Sequence, residues 1–526
     1  MKKSEEGYTL LFVLVTLTVL SVLAIATIGV SLQSTRLTEI RGANIKVDTA
    51  TQNELDQAIA ALQKIVATTS NATPTSSSKQ LFADIPNQIV LPLTTSAPNV
   101  TVEVNEDDSN ARVKALDLTA HVEETKGDQP TVKKAYTQRV YLSAIPSFLY
   151  YTLGSDNQVV LNGAPRIEGN VFSREALKVS ATPNFVYNGQ TGRYTDKLAH
   201  PYIDGQVRVF QPQNEPLLAC DDFLPCDQTV FDPAVKTALV STKDTLVPFD
   251  FEFALNDFLD IPSNISLATL SDYLKDQMSP PIERSVLTGP FLNELSTKKQ
   301  IIVPSPAEQS TVTITDDIVK ESPEPLIIDG NLTISSLNPI TQPLEIKRPI
   351  VVLGNLLIRG NVSFATTMFS TGSSRLDDAN IQGITSSTNQ NTLILLSKGT
   401  LTINRVNKFS TPKTDAPDMN AFLYSDATSL NRIYSVGSTM NLQGGIFTKG
   451  QLEVNAYRGQ LDLPENQFPQ DVTALEELMA LKKSAEAEKS RLRLKYDASV
   501  LKNPTAMLPL SRAVKMYVET PKRTMP

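Results

Sequence analysis

The chain has 526 residues and a formal net charge of −8, with 56 acidic against 48 basic side chains and no basic block among them. That acidic balance argues against nucleic acid or an anionic surface as a direct partner. Two histidines, two cysteines and no tryptophan leave little for metal or nucleophilic chemistry. The length allows about three or four domains with sizeable cores.

The polar leader, residues 1–7, carries Lys2 and Lys3, and behind Gly7 an apolar run extends from Tyr8 to Leu32 without a charged side chain. At ~1.5 Å per residue this rod exceeds the ~30 Å hydrocarbon core of a bilayer, so residues 8–32 predict a transmembrane segment with some tilt. Lys2 and Lys3 predict a single-pass cell-membrane protein with its amino terminus in the cytoplasm and its bulk outside. The stretch Gly7-Tyr8-Thr9-Leu10-Leu11 behind a basic leader resembles the class III signal of type IV pilins and type II secretion pseudopilins. The resemblance covers only the amino-terminal helix. It implies cleavage after Gly7 by a prepilin peptidase, N-methylation of Tyr8, and packing of Leu10, Phe12, Val13, Leu14, Leu17 and Leu20 against other pilin-like subunits. At the fifth position after that cut this chain has Phe12, where the family usually has a glutamate that pairs with a neighbour's amine. The departure points away from the repeating fibre subunit and toward a minor one. Two other readings stay open: Ala24-Ile25-Ala26 offers the small-x-small site of a Sec signal peptide, and an uncut anchor needs no processing.

Past the span, Leu37, Ile40, Val47, Leu55, Ala58, Leu62 and Ile65 recur at three- and four-residue steps, with Asn44 and Thr51 filling the gaps. Residues 8–67 therefore predict one long helix with an amphipathic outer half, followed by a loop over Thr68 to Ser78. Residues 79–146 predict an antiparallel β domain, with period two from about Ile89, a turn at Asn105 to Asn110, a bulge near Ala115-Leu116 and a second turn at Gly127 to Pro130. A helix followed by such a meander is the pilin arrangement that the resemblance implies.

Beyond Pro146 short apolar strands are punctuated by Gly169-Asn170, Gly330-Asn331, Gly354-Asn355 and Gly360-Asn361, with looser copies at Gly399 and Gly450. Several gaps fall near one or two multiples of about 22 to 25 residues, a period of stacked coils. Residues 147–210 and 325–460 thus predict a β-solenoid-like (β-helix) domain, with a sandwich as the competing reading. Between them, 211–324 reads as a Pro-rich insert with a helix over Ser263 to Met278, and 470–496 reads as a charged carboxyl-terminal helix. The fold class expected is α+β.

Chemistry is sparse. Cys220 and Cys226 bracket a short loop and predict a disulfide outside the membrane, with free thiols as the alternative. His121 and His200 read as structural or solvated, and the acidic tip Glu106-Asp107-Asp108 as solvated. Asp377-Asp378 is the one carboxylate pair that a β-helix glycosidase would need, but neighbours on a strand face opposite ways. No catalytic residue, metal site or cofactor is expected. The expectation is a non-enzymatic minor pilin-like subunit displaying a large β-rich domain at the cell surface. The alternative is a membrane-anchored adhesin or carbohydrate-active β-helix protein unconnected with pili.

Overall fold

The structure is a computed structural model that describes residues 6–71, 85–110, 112–124, 132–196, 200–210, 216–221, 226–242, 246, 249–278, 280–295, 299–306, 310–318, 322–336, 343–384, 392–405, 409, 417–502 and 508–524. The turn at 127–130 lies outside them. The chain forms two units: one from the amino-terminal helix, residues 79–143 and Met516–Pro526, the other from residues 144–515 with 73–78.

The first unit begins with α1, Glu6–Asn71, a single helix of 66 residues. At ~1.5 Å per residue it is about 100 Å long. Val47, Thr51, Leu55, Ala58, Leu62 and Val66 are buried along one stripe at three- and four-residue steps. This stripe packs on the antiparallel strands β1 (Val100–Asn105), β2 (Val113–Glu124) and β3 (Val132–Ser143), where Leu116, Leu118 and Ala120 alternate into the core. Thr51 is tolerated there because its hydroxyl donates to the Val47 carbonyl one turn back, at 2.6 Å. Asp48 ties helix to sheet, taking Lys134 Nζ at 2.7 Å and the Tyr136 hydroxyl at 2.8 Å.

Three expectations are corrected in this unit. Residues from Ile89 do not begin a strand; Pro86–Val90 and Leu91–Ser96 form helical turns. There the Thr95 and Ser96 hydroxyls cap carbonyls four residues back. No bulge interrupts Ala115-Leu116, since the β2–β3 register runs unbroken from Val113↔Ser143 to Glu124↔Val132. Ala115 faces away from Leu116 yet stays buried, because the preceding turn folds over it and Ser109 Oγ accepts from its N–H at 3.0 Å. Finally, the sheet is completed beyond β3 by Lys515–Val518 and Lys522–Thr524 from the far end of the chain. Strands of three or four residues carry too little periodicity to announce themselves.

The second unit is β-rich, with 27 strands in one sheet among the described residues. Its strands pair in parallel with strands one repeat further along. Ile350–Val352 pairs Thr366–Ser370, then come Leu393–Ser397, Met419–Ser425 and Met440–Thr448. The series continues with Leu153–Ser155 and Val171–Ser173, so the early strands stack directly on the late ones. Met368, Leu395, Leu423, Ile446, Leu153 and Val171 share one register position and form a column of the apolar core. On the opposite face of the same strands Tyr424, Phe447 and Phe172 stack, with centroids 6.5 and 6.2 Å apart. Gly154 sits between the last two, where a Cβ would lie 2.5 Å from the Phe447 ring.

The glycine repeat has a structural reason. Ser370, Ser397, Ser425, Thr448, Ser155 and Ser173 occupy one register position, all fully buried. Ser370 Oγ donates to the Gly354 carbonyl at 2.8 Å, Ser397 Oγ to Gly372 at 2.9 Å, Ser425 Oγ to Gly399 at 2.8 Å and Ser155 Oγ to Gly450 at 2.8 Å. Each turn therefore satisfies the next through a hydroxyl, and the glycines let their backbones touch.

The proposed insert is not outside this sheet. Ile282–Glu283, Gln300–Val303 and Thr311–Ile314 pair in parallel with their neighbours and lead into Leu326–Ile328 and Asn331–Ser335. Among the described residues the α-helices within 211–324 are Phe251–Phe258, where Asp250 accepts from the Phe253 N–H, Leu267–Gln277 and Gly289–Glu294. The charged segment 470–496 is α-helical only over Val472–Lys482, with a 3-10 turn at Ala487–Lys489; Leu492–Lys495 is a strand that pairs both Met440–Thr448 and Arg166–Glu168. The alternating burial of Leu492 and Leu494 against a parallel neighbour outweighs the helical propensity of that stretch.

Candidate assembly interface

Gly7 and Tyr8 lie in the first turns of α1. From Leu10 onward the side chains of the apolar run project from the helix uncovered. Leu10 is 70% exposed, Phe12 68%, Val13 51%, Leu14 62%, Leu17 63% and Leu20 65%. The exposure is on all sides, since Leu11, Val15, Val19, Val22 and Leu23 are exposed as well. Among the described residues α1 is the one helix long and apolar enough to cross a membrane.

Four hydroxyls inside the run close on the helix's own backbone. Thr16, Thr18 and Ser21 donate to the carbonyls of Phe12, Leu14 and Leu17 at 2.7 to 2.9 Å, and Thr27 bonds to Leu23 in the same way. A hydroxyl closed on its own backbone adds little cost in hydrocarbon. Beyond Leu32 the helix still exposes Leu37, Ile40 and Ile45, and the first buried side chain of its stripe is Val47. This corrects the stripe expected from the sequence, which began at Leu37 and ended on Ile65. The sheet covers only the outer end, and Val66 is buried in place of the half-buried Ile65.

Cys220 and Cys226 are free thiols in the structure, so the expected disulfide is not formed there. Cys220 ends the strand Leu218–Cys220; burial, and then the neighbouring Cys226, pushes its thiol up to about 12. A thiol so seldom ionised is a poor nucleophile for bond formation. Cys226 is exposed and its Sγ donates to the Leu218 carbonyl at 3.5 Å. His200 contacts the Val230 carbonyl through Nδ1 at 2.9 Å, while His121 is exposed on β2. Asp377 is clasped by Arg375 at 2.6 Å and Arg359 at 3.2 Å. Among the described residues no three His, Cys, Asp or Glu side chains gather as metal ligands.

No protein-family model matches the chain, and no curated protein does. Among solved structures, the competence-associated pilin ComZ from Thermus thermophilus is similar at 13% identity, over 81% of this chain and 88% of that one, with a TM-score of 0.28. At that score the likeness establishes no common fold.

Proposed function

We propose that this chain is a minor pilin- or pseudopilin-like structural subunit of a type IV pilus or related filament, without catalytic activity, that displays a stacked-coil β-helix at the cell surface. The carrying observation is α1 itself: one continuous helix, apolar and uncovered from Leu10 to Leu32, still exposing Leu37, Ile40 and Ile45 before its outer end docks on a sheet. A simple anchor has no use for exposed apolar side chains spread over a further ~20 Å of helix past the bilayer. A helix that leaves lipid to lie among similar helices does, and packing drives that association. In this reading a prepilin peptidase removes residues 1–7, Tyr8 becomes the methylated amino terminus, and Lys2 and Lys3 hold the leader inside. Phe12 offers no carboxylate to a neighbour's amine, which suits a subunit with no earlier subunit to neutralise.

Intact-mass analysis of the membrane form from its native cells tests this. The expected species starts at Tyr8 with one added methyl group, and a Leu17→Cys variant cross-links to a second pilin-like helix in the membrane. Retention of Met1 to Gly7 with no cross-linked partner would refute it and favour the solitary surface adhesin.

A further inference from the structure

In the parallel unit a groove of about 400 Å³ runs over three adjoining strands, within the size range of small-ligand sites. Its strands are Met440–Thr448, Leu492–Lys495 and Arg166–Glu168, joined in the register Asn441↔Arg493↔Arg166 and Gln443↔Lys495↔Glu168. The outward side chains thus form two short rows: amides, then cations, then an arginine–glutamate pair. A smaller hollow of about 140 Å³ shares Glu488 and Arg493 with it and extends the groove toward Asp462.

The charges within the groove are unevenly matched. Both of its carboxylates are taken by Arg166, which reaches Glu168 at 2.9 Å and Glu488 at 2.8 Å while lying 4.7 Å over the Tyr202 ring. Among the described residues no carboxylate lies within ion-pair distance of Arg493 or Lys495, although Asp418 and Glu488 are near enough to feel the Arg493 charge. Arg493 makes one hydrogen bond, from Nη2 to the Glu488 carbonyl, and its Nε is buried without an acceptor. Beside it Asn441, 9% exposed, has its Oδ1 buried without a donor. Asp418, behind Asn441, is already engaged by the Asn441 N–H at 3.0 Å and by Arg405 at 3.9 Å. A covered amide oxygen without a donor, beside an arginine held by one hydrogen bond and an exposed lysine, suits a ligand carrying both hydroxyls and an anionic group.

The geometry points to this groove as a binding site for an acidic saccharide. A sugar carboxylate accepts from Arg493, turned outward from its single tether, and from Lys495 Nζ, and a sugar hydroxyl donates to Asn441 Oδ1 once that covered amide turns toward the groove. Charge-assisted bonds of that kind are the strong ones in such sites. Arg166, fixed between its two glutamates, forms a wall of the groove.

The full chain in detergent is titrated calorimetrically with a trimer of α-1,4-linked galacturonic acid, with the neutral galactose trimer, with inorganic phosphate and with single-stranded DNA. The acidic trimer is expected to bind at sub-millimolar concentration and the neutral trimer at least about tenfold more weakly, with Lys495→Gln and Arg493→Gln each lowering affinity about tenfold. Lys495 is exposed, so its variant folds whatever becomes of Arg493→Gln, and circular dichroism checks both. Three results would overturn the assignment: no heat with the acidic trimer, equal binding of the neutral one, or tighter Lys495-dependent binding of phosphate or DNA. The groove lies wholly in the parallel unit, so the outcome is independent of processing at Gly7.

Discussion

The glycine column is the place where one methyl group should do the most damage. A Cβ added at Gly399 would sit 2.6 Å from both the Gly372 carbonyl carbon and oxygen and 2.6 Å from the Ser373 nitrogen. Ordinary contact begins near 3.4 Å, so the two turns must part by about 0.8 Å, and the obstructing atoms are backbone. Two bonds lie across that gap, Gly399 N–H and Ser397 Oγ both to the Gly372 carbonyl at 2.9 Å, and Ser425 Oγ of the following turn holds the Gly399 carbonyl at 2.8 Å. Overpacking costs about 1–3 kcal/mol, and a buried group left unpaired a similar amount. Gly399→Ala should therefore destabilise the local stack by about 3 kcal/mol, which is roughly a hundredfold in its opening equilibrium. Hydrogen exchange on the full chain in detergent reads this directly. Peptides covering 392–405 and 419–425 should lose about two decades of protection, while those covering β2 and β3 should not change. Gly42→Ala is the control, since nothing lies within 4 Å of its added Cβ, and it should be neutral or stabilise the helix by up to about 1 kcal/mol. Wild-type protection across 392–425 in Gly399→Ala would show that the glycine repeat marks turns only, and that the coils do not rely on close backbone approach.

Asp48→Asn leaves the largely buried Lys134 ammonium with neutral acceptors only and no counter-charge; because the Asp48 side chain is about a third exposed, the expected loss is about 2 kcal/mol, read as faster exchange of β3 amides. Hydrogen bonds from Arg139 Nε and Nη2, at 2.7 and 2.9 Å, hold the Asp117 carboxyl below its usual range. Its contribution is therefore complete above a pH of about 4 and fades as pH falls through the lowered value, so Asp117→Asn should flatten that acid-side loss in a melting-temperature profile. Leu62→Ala, at a fully buried position of the α1 stripe, should cost about 2–5 kcal/mol in the same exchange assay. Maleimide labelling at neutral pH should modify Cys226 well before Cys220, and simultaneous labelling would contradict the burial assigned to Cys220.

What the sequence disclosed and what it withheld divide along one line: the range over which the interaction acts. The apolar run, the stripe from Val47 to Leu62 and the alternation in β2 are local periodicities, and each was visible. The glycine repeat was visible too, but its cause was not. Ser397 and Ser425 look like any strand-end serines until the register places each hydroxyl on a glycine of the preceding turn. The parallel join of Leu452–Ala456 to Val159–Gly163 connects segments almost 300 residues apart and leaves no trace in either. The saccharide groove was illegible for the same reason, since Arg166, Asn441 and Arg493 meet only through that stacking order. Strands as brief as Val286–Leu287 carry no period at all, and their Pro-rich surroundings made an insert of what is part of the sheet.

Both halves of the molecule settle their backbone and hydroxyl groups locally, and this bears on how each half can find a partner. In the stack the serine ladder is internal, so lateral specificity must come from the outward rows such as Asn441, Arg493 and Arg166. In the membrane helix the hydroxyl protons of Thr16, Thr18, Ser21 and Thr27 are spent on their own carbonyls, which leaves these four side chains no donor with which to fix a neighbour's register. In the proposed assembly, contacts through Leu10, Leu14 and Leu17 then depend chiefly on shape. It follows that Thr16→Val should leave assembly unchanged, because the lost hydroxyl served only Phe12 and Val13 of its own helix. Phe12→Glu should act in the opposite sense, placing in the apolar run a charge that must find a neighbour's amine or be excluded from lipid. Cross-linking yield from Leu17→Cys in each background separates the two cases. Equal sensitivity to both changes would mean that hydroxyls, and not side-chain shape, hold these helices together.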